Sequence, residues 1–142
     1  MTPELAPILD VTYGCLVYQE QVMQIVRDLA GYSFGRSDIV RRAMSKKKTD
    51  VMLQEKEYFI HGKLAEDGSV EIPGCIRNGI SEEAAEAIFA DMESFAQYAF
   101  NKSHAACYAL VAYRTAYLKV HAPAQFMAAL LTSVLDRSNK VA

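Results

Sequence analysis

The chain has 142 residues, of which 51% are hydrophobic, and this composition is sufficient for one domain with its own core. Its 15 lysine and arginine residues are outweighed by 17 aspartate and glutamate residues, so the formal net charge is −2. This balance argues against phosphate binding by the whole surface, and any contact with nucleic acid has to come from a local cluster of cations.

The first predicted elements are two helices. Apolar residues recur at three- and four-residue steps over residues 17–30, which is the spacing of one helix face, and Gly31 is predicted to end this helix. The second helix is predicted to begin at Ser37, whose side chain can cap free backbone amides. Asp38 would then lie in the positive first turn of that helix.

A third helix and a small hairpin are predicted next. Thr49 or Asp50 can cap a helix that continues to about residue 60. The segments at 59–64 and 70–72 flank an Asp-Gly turn and are predicted to pair as a β-hairpin.

The last three predicted helices are all marked by a cap or a proline. Ser81, followed by two glutamates, predicts a helix start, and the residues after it form a broad apolar stripe. Another helix is predicted from Ser103 to just before Pro123, because the residue preceding a proline is pushed away from helical geometry. Pro123 can itself open the last helix.

These elements predict a mainly α fold with a small β-hairpin insertion. No repeat or low-complexity linker divides the chain, so residues 1–142 are predicted to form one domain. Its helical parts cover about 15–60 and 81–136, and the hairpin-like insertion covers about 59–74.

The cysteines are Cys15, Cys75 and Cys107. Their odd number and wide spacing fit neither a disulfide framework nor a paired-cysteine metal site, so reduced thiols and a cytoplasmic location are predicted. The most apolar stretch, 107–120, is interrupted by an arginine and a lysine, and no membrane span is predicted.

The main electrostatic feature is a basic segment at residues 36–48, which holds six cations and one acid. The cations are Arg36, Arg41, Arg42, Lys46, Lys47 and Lys48. Adjacent arginines on a helix can present planar guanidinium groups to phosphate oxygens, and lysines add point charges. A merely solvated helix end, with lysines near the negative end of the helix dipole, explains the pattern equally well.

A polar stripe crosses the predicted helix over residues 103–121, which is otherwise apolar on nearly all sides, as in a helix buried in a larger body. The stripe consists of His104, Tyr108, Thr115 and Lys119. With Asn101 and Lys102 at the helix start it is a candidate anion site. Core side chains with polar tips bonded to backbone are the favoured alternative.

Neither a catalytic arrangement nor a metal-binding motif stands out. The serines lack a histidine at a recognisable spacing, the three histidines form no metal motif, and there is no glycine-rich phosphate loop. The aromatic residues are candidates for stacking on bases, although aromatics at helical spacing more often form a core. The residues alone predict a helical domain with one basic face.

Six uncommon strings occur in a consistent order along the chain. They are TYG at 12–14, VYQEQVM at 17–23, RRAM at 41–44, PGCIRNG at 73–79, FNKSHA at 100–105 and APAQFMAA at 122–129. In this order and spacing the chain closely resembles, over almost all its length, the fingers of the DNA polymerase III alpha subunit, the C-family bacterial replicase. The chain is therefore expected to be a fragment of a longer protein.

The resemblance implies a part in replicative DNA synthesis. In that family the primer 3′ hydroxyl attacks the α-phosphate of the incoming nucleotide, assisted by two Mg²⁺ ions held by carboxylates of the palm. The palm lies upstream in the family and has no match here. No catalytic residue and no metal ligand is therefore assigned to this chain, and the chain alone is expected to be inactive.

The resemblance also implies which residues handle nucleotide and DNA. Arg41 and Arg42 become the leading candidates for contact with the dNTP triphosphate, followed by Lys102 and His104. The candidates for DNA contact are Arg36, Lys46, Lys47, Lys48, Asn101 and Tyr113, the last of these behind the base pair. The hairpin-like insertion differs among family branches, so no catalytic role is assigned to it.

The partners implied are primer–template DNA, dNTPs and the palm and thumb of the same polymerase. The sliding clamp and the clamp-loader tau subunit are implied only for downstream regions that this chain lacks. Two other classes stay open: an autonomous helical module that binds nucleic acid through its basic helix, and a structural or protein-interaction domain.

Overall fold

The computed structural model describes residues 3–46, 48–96 and 100–135, which are mainly helical. The α-helices in these ranges are α1 (Ala6–Leu9), α2 (Gln19–Ala30), α3 (Phe34–Ser45), α4 (Thr49–His61), α5 (Gly74–Arg77), α6 (Glu82–Phe95), α7 (Lys102–His121) and α8 (Pro123–Ser133). Two short 3-10 turns, Pro3–Leu5 and Asp10–Thr12, flank α1. Strands β1 (Lys63–Leu64) and β2 (Val70–Ile72) pair antiparallel. The predicted mainly α fold with a small hairpin is confirmed.

The chain divides into two compact units, Met1–Lys102 and Ser103–Ala142. The first unit contains α1 to α6 and the hairpin, and the second contains α8 and all of α7 except its first residue. The single domain over residues 1–142 stays a prediction.

The core of the first unit lies between α2, α3, α4 and α6. Helix α2 packs on α3, and α4 contacts α3, α5 and α6. The largest fully buried apolar side chains are Phe59, Phe89, Ile25, Leu29 and Met92. The rings of Phe59 and Phe89 join α4 to α6, with centroids 5.6 Å apart. Removal of this apolar surface from water is the main force holding the unit together.

Helix α2 is fixed at both ends. The Oε1 atom of Gln21 accepts hydrogen bonds from the backbone amides of Val17 and Tyr18, both at 2.9 Å. At the other end Gly31 adopts a left-handed conformation with φ of 75°, as predicted for the helix stop. These two ends place the predicted apolar face of the helix in the core.

Helix α3 begins earlier than predicted. Its cap is Ser33, whose side chain accepts a hydrogen bond from the amide of Arg36 at 3.1 Å. The prediction of Ser37 as cap was wrong: Ser37 is buried inside the helix, and its hydroxyl donates to the carbonyl of Phe34 at 2.7 Å. Asp38 consequently lies in the second turn of α3 rather than the first.

Helix α4 has its predicted position but a different start. Lys48 is the residue before the helix and provides no side-chain cap, so the prediction of Thr49 or Asp50 as cap was wrong. The predicted first strand was too long, because Phe59 remains in α4, where it is fully buried in the core. Because the ring of Phe59 is buried in the core, this residue continues the helix and does not pair as part of a strand.

Two glycines meet where α4 ends and the hairpin closes. Gly62 has φ of 86° and Gly74 has φ of 77°, both in the left-handed region. A Cβ atom on Gly62 would lie closer than 3.0 Å to the carbonyl groups of Ile72 and Pro73, and one on Gly74 would meet the backbone of Gly62. Only glycine allows the two segments to approach this closely.

Helix α6 matches its prediction. The Ser81 side chain accepts a hydrogen bond from the amide of Ala84 at 3.3 Å and caps the helix. The buried residues of the predicted stripe are Ala85, Ile88, Phe89 and Met92. The short helix α5 just before it was not predicted.

The second unit contains two helices without buried residues. The prediction of a helix from 103 to just before 123 is confirmed within one or two residues, and Pro123 opens α8 as predicted. The sequence indicates a helix buried in a larger body, yet no described residue of α7 is buried here. None of the described helices is long and apolar enough to cross a membrane.

Candidate phosphate-binding surface

A carboxylate shared by two arginines is the centre of the basic segment. On α3, Oδ1 of Asp38 accepts from Nε and Nη2 of Arg41, each at 2.7 Å, and Oδ2 lies 2.6 Å from Nη2 of Arg42. The residues are three and four positions apart, so one helix face presents all three side chains. Because each oxygen binds a different arginine, Asp38 holds the two guanidinium groups side by side.

The three side chains differ in exposure. The exposed fraction is 22% for Asp38, 29% for Arg41 and 67% for Arg42, so the carboxylate is the most enclosed member and Arg42 the most accessible. The hydrogen bond from Arg41 and, secondarily, that from Arg42 lower the pKa of Asp38 below its usual value. Asp38 is therefore ionised at neutral pH, and the cluster carries a net charge of one positive unit.

The lysines after α3 extend this surface. Arg42, Lys46 and Lys48 line a shallow depression of about 250 Å³ whose apolar wall consists of Ile39, Ala43 and Val51. Three of the predicted cations thus border a single concavity. The fourth cation predicted here, Lys47, lies outside the described residues.

Arg36, near the start of the same helix, forms ion pairs with acidic residues of α4 and β2. Its Nη2 lies 2.8 Å from Oε1 of Glu55, its Nη1 lies 3.4 Å from Oε1 of Glu71, and its guanidinium lies over the ring of Tyr58 at 5.1 Å. Burial disfavours the charge, but the hydrogen bond and the charge of Glu55 outweigh it, and the pKa of Arg36 is raised. A structural role is visible for this residue, and its contact with DNA stays a prediction.

The sequence reasoning missed Glu55. Its side chain is only 3% exposed, on the core face of α4 between Met52 and Phe59. A charged residue at the helical spacing of buried apolar residues was the available signal, because such a charge requires a partner.

The turn before α7 contacts the start of α2. The amide of Gln19 donates to the carbonyl of Phe100 at 2.9 Å, and the amide of Lys102 donates to Oε2 of Glu20 at 3.1 Å. The ammonium group of Lys102 lies 5.2 Å from the centre of the Tyr18 ring. These contacts fix Lys102 against the first turn of α2.

The end of α3 contacts the same turn of α2. Nε2 of Gln19 donates to Oγ of Ser45 at 3.2 Å, and that hydroxyl donates to the carbonyl of Arg41 at 2.9 Å. Gln19 thus touches both the arginine-bearing helix and the segment leading to Lys102. Arg42 and Lys102 are 60 positions apart in the sequence. The side chain and the backbone amide of Gln19 thereby link the helix that carries the arginines to the segment that leads to Lys102.

The remaining candidates lie on or beside α7. Asn101 is half-buried in the first unit, whereas His104 and Tyr113 belong to the second unit. The ring of His104 contacts that of Tyr108, with centroids 4.5 Å apart, and Tyr113 is exposed. Tyr108 is exposed as well, and the alternative that this stripe belongs to a core stays a prediction.

The ionisable groups of the described residues form no group of three or more His, Cys, Asp or Glu side chains suited to a metal ion. The two Mg²⁺ ions that the resemblance implies belong to the palm of the longer polymerase and stay a prediction. The cysteines are all free thiols, of which Cys75 is buried and the other two are exposed.

The comparisons of this chain with known proteins agree with one another. Residues 1–67 match the family described as the bacterial DNA polymerase III alpha subunit finger domain. The chain is 50% identical over 137 residues to the DNA polymerase III subunit alpha of Pasteurella multocida, covering 96% of this chain and 11% of that protein. It is 49% identical over 138 residues to the Thermus aquaticus subunit, covering 97% and 10%, and 49% identical over 137 residues to the Escherichia coli subunit, covering 96% and 11%. The chain thus spans about a tenth of the length of these relatives.

Proposed function

Because the chain belongs to the bacterial DNA polymerase III alpha subunit family, with a finger-domain match at residues 1–67, we propose that it is the part of a replicative DNA polymerase that contacts the incoming nucleotide and the template. The observation that carries this proposal is the arginine pair on α3, held side by side by one carboxylate. Its role is to bind the dNTP triphosphate during 5′–3′ DNA synthesis.

The chemistry of the arginine pair suits a triphosphate. A guanidinium group is planar, always charged and able to donate two parallel hydrogen bonds to phosphate oxygens. The Nε and Nη2 atoms of Arg41 are bonded to Asp38, which leaves the Nη1 amino group directed away from that carboxylate. The exposure of Arg42 supports access by a ligand. Positive charge beside a phosphoryl centre stabilises the negative charge that develops during transfer.

The depression lined by Arg42, Lys46 and Lys48 supports a contact with the DNA backbone. Lysines act as point charges toward phosphodiesters and need no particular base sequence, which is required of a polymerase that copies any template. The contact would raise affinity in a salt-dependent manner, because each neutralised phosphate releases condensed counterions.

His104, in the second unit, is proposed to contact nucleotide or template from the family resemblance alone, whereas the segment with Asn101 and Lys102 is the second proposed contact. Its support is the link through Gln19 to the arginine-bearing helix. Tyr113 is proposed to lie behind the nascent base pair, where an aromatic face can stack. The family resemblance supports both assignments.

The chemical step is proposed to require groups outside the described residues. Mg²⁺ assistance, nucleotidyl transfer, the palm and thumb, the sliding clamp and the tau subunit all belong to the longer polymerase in this proposal. The chain by itself is expected to lack polymerase activity. A cytoplasmic location is part of the same proposal.

The test is steady-state kinetics on a full-length polymerase that carries this segment. Replacement of Arg41 or Arg42 by alanine is expected to raise the apparent KM for dNTPs or lower kcat by about tenfold, the effect of one lost charged hydrogen bond of about 1.4 kcal/mol. Arg77→Ala is a matched control, because it removes the same side chain from α5 of the same unit. Unchanged kinetics in both α3 variants would remove the arginine pair from nucleotide binding.

A further inference from the structure

The strongest feature that the proposed function leaves unused is the carboxylate between the two arginines. We propose that Asp38 is the positioning residue of the arginine pair: it holds both guanidinium groups against α3 and directs their remaining N–H groups toward the triphosphate. This inference rests on the proposed function of Arg41 and Arg42. Asp38 itself is not proposed to touch the nucleotide.

The position of Asp38 in the helix excludes a capping role. Helix α3 begins at Phe34 and is capped by Ser33, so Asp38 lies one turn too late to bond the free backbone amides of the first turn. Its carboxylate bonds side chains instead. The geometry therefore ties Asp38 to the arginines and not to the formation of the helix end.

The contacts also differ from those of an ordinary surface ion pair. Exposed pairs between one acid and one base contribute little to stability, because water and salt screen them. Here the two carboxylate oxygens divide between two arginines at 2.6 and 2.7 Å, and the acid is more enclosed than either partner. A bridging carboxylate restricts two long side chains at once.

Restriction of the arginines is useful to a phosphate site. A free arginine side chain samples many rotamers, and ordering it costs affinity when a ligand binds. With Nε and Nη2 of Arg41 already bonded to Asp38, the plane of that guanidinium is set before nucleotide arrives. The arrangement therefore lowers the ordering cost that the triphosphate would otherwise bear.

The negative charge of Asp38 has the opposite effect, since it repels phosphate. This repulsion is weakened by solvent, because Arg42 is 67% exposed and the site is open. Loss of the carboxylate, by contrast, removes the bonds to both guanidinium groups. We therefore expect orientation to outweigh repulsion, and removal of Asp38 to weaken nucleotide binding.

The experiment measures dNTP KM and kcat of the full-length polymerase with Asp38→Ala, Asp38→Asn, Asp38→Glu, Arg41→Ala and the double variant Asp38→Ala/Arg41→Ala. Asp38→Ala is expected to raise KM by about fivefold with a smaller change in kcat, in the range expected for ordering one or two side chains. Asp38→Glu keeps the carboxylate and is expected to restore most of the loss. The double variant is expected to match Arg41→Ala more closely than the product of the single effects.

A matched charge control is Glu57→Gln. Glu57 is an exposed acid on α4 that lies near His61 at 3.8 Å, and its replacement removes the same charge from the same unit. KM in this variant is expected to equal that of the unaltered enzyme. Thermal unfolding is measured for every variant and shows whether Asp38→Ala is folded. If it is not folded, KM of the near-isosteric Asp38→Asn variant is used in its place.

The outcomes separate the two proposals. If Arg41→Ala and Arg42→Ala leave the kinetics unchanged, both proposals fall. If the arginine variants raise KM while the folded Asp38 variants leave it unchanged or lower it, the role of Asp38 is overturned and the role of the arginines stands. Purely multiplicative effects in the double variant, or an equal effect of Glu57→Gln, would also overturn the positioning role.

Discussion

The guanidinium of Arg36 lies 2.8 Å from the carboxylate of Glu55, which is 3% exposed, so a cation of the basic segment neutralises a carboxylate inside the core. Arg36 is itself 20% exposed and also contacts Glu71 of β2. The pair joins α3 to α4 and brings the hairpin to the same cation. Arg36 is thereby set apart from the other described cations of the basic segment.

This relationship predicts that Arg36 and Arg42 differ in their effect on stability. Arg36→Ala leaves the carboxylate of Glu55 buried without its cation and is expected to lower the free energy of unfolding by about 3 kcal/mol. Arg42→Ala removes only the more exposed of the two arginine contacts of Asp38 and is expected to lower the free energy of unfolding much less than Arg36→Ala does. Urea unfolding followed by circular dichroism measures both. Equal losses in the two variants would show that Arg36 is not a structural cation.

A second prediction concerns the junction of Gly62 and Gly74. Gly62→Ala forces a side chain into the carbonyl groups of Ile72 and Pro73 and into a backbone conformation, φ 86° and ψ −178°, that only glycine adopts readily. We expect Gly62→Ala to lower the free energy of unfolding by about 3 kcal/mol or more, because backbone strain and steric overlap act together.

Gly79→Ala is the matched control for this junction. Gly79 has φ of 85°, but a Cβ atom there would meet no heavy atom within 4 Å. Its replacement should cost only the conformational strain, about 1 kcal/mol. If thermal denaturation gives the two variants the same midpoint, the close approach of the two segments is not what requires glycine at Gly62.

A third prediction concerns thiol reactivity. Burial raises the pKa of the Cys75 thiol to about 12, so this group stays protonated at pH 8 and lacks the reactive thiolate. Cys15 and Cys107 are exposed. A thiol-specific reagent at pH 8 should label these two in the native chain and reach Cys75 only after denaturation, as read by peptide mass spectrometry. Rapid labelling of native Cys75 would contradict its burial.

A fourth prediction concerns the salt dependence of DNA binding by the full-length polymerase. Lys46→Gln and Lys48→Gln are each expected to reduce the slope of log affinity against log salt by about 0.9 if each contacts a duplex phosphate. Lys63→Gln is the control, because Lys63 is paired with Glu71 at 2.6 Å on the hairpin. Fluorescence anisotropy at several salt concentrations provides the slopes. Three slopes equal to that of the unaltered enzyme would exclude the proposed backbone contact.

Several elements were predictable because their signals are local. Ser81 before two glutamates, Gly31 after an apolar periodicity and Pro123 at a helix start each act within one helical turn. The start of α3 was harder to predict, because Ser33 and Ser37 are both suitable capping residues and lie one turn apart. Burial of Ser37 against the core decided between them, and burial depends on other helices.

The sequence by itself determined the mainly α fold, the hairpin, the family and the presence of a local basic segment in a slightly acidic chain. Periodicity, caps and uncommon strings carry this information, because each is a property of neighbouring residues or of their order. Through the family resemblance, the sequence also identified Arg41 and Arg42 as the leading candidates for contact with the dNTP triphosphate. This role remains a prediction.

Only the tertiary structure decided how the cations divide. Glu55 and Glu71 are distant from Arg36 along the chain, and folding brings all three together. Gln19 likewise joins α3 to the segment before α7 through contacts that no local pattern contains. The cost of burying an unpaired charge selects the partner of Arg36, whereas the exposed Arg42 at the surface stays accessible to a ligand.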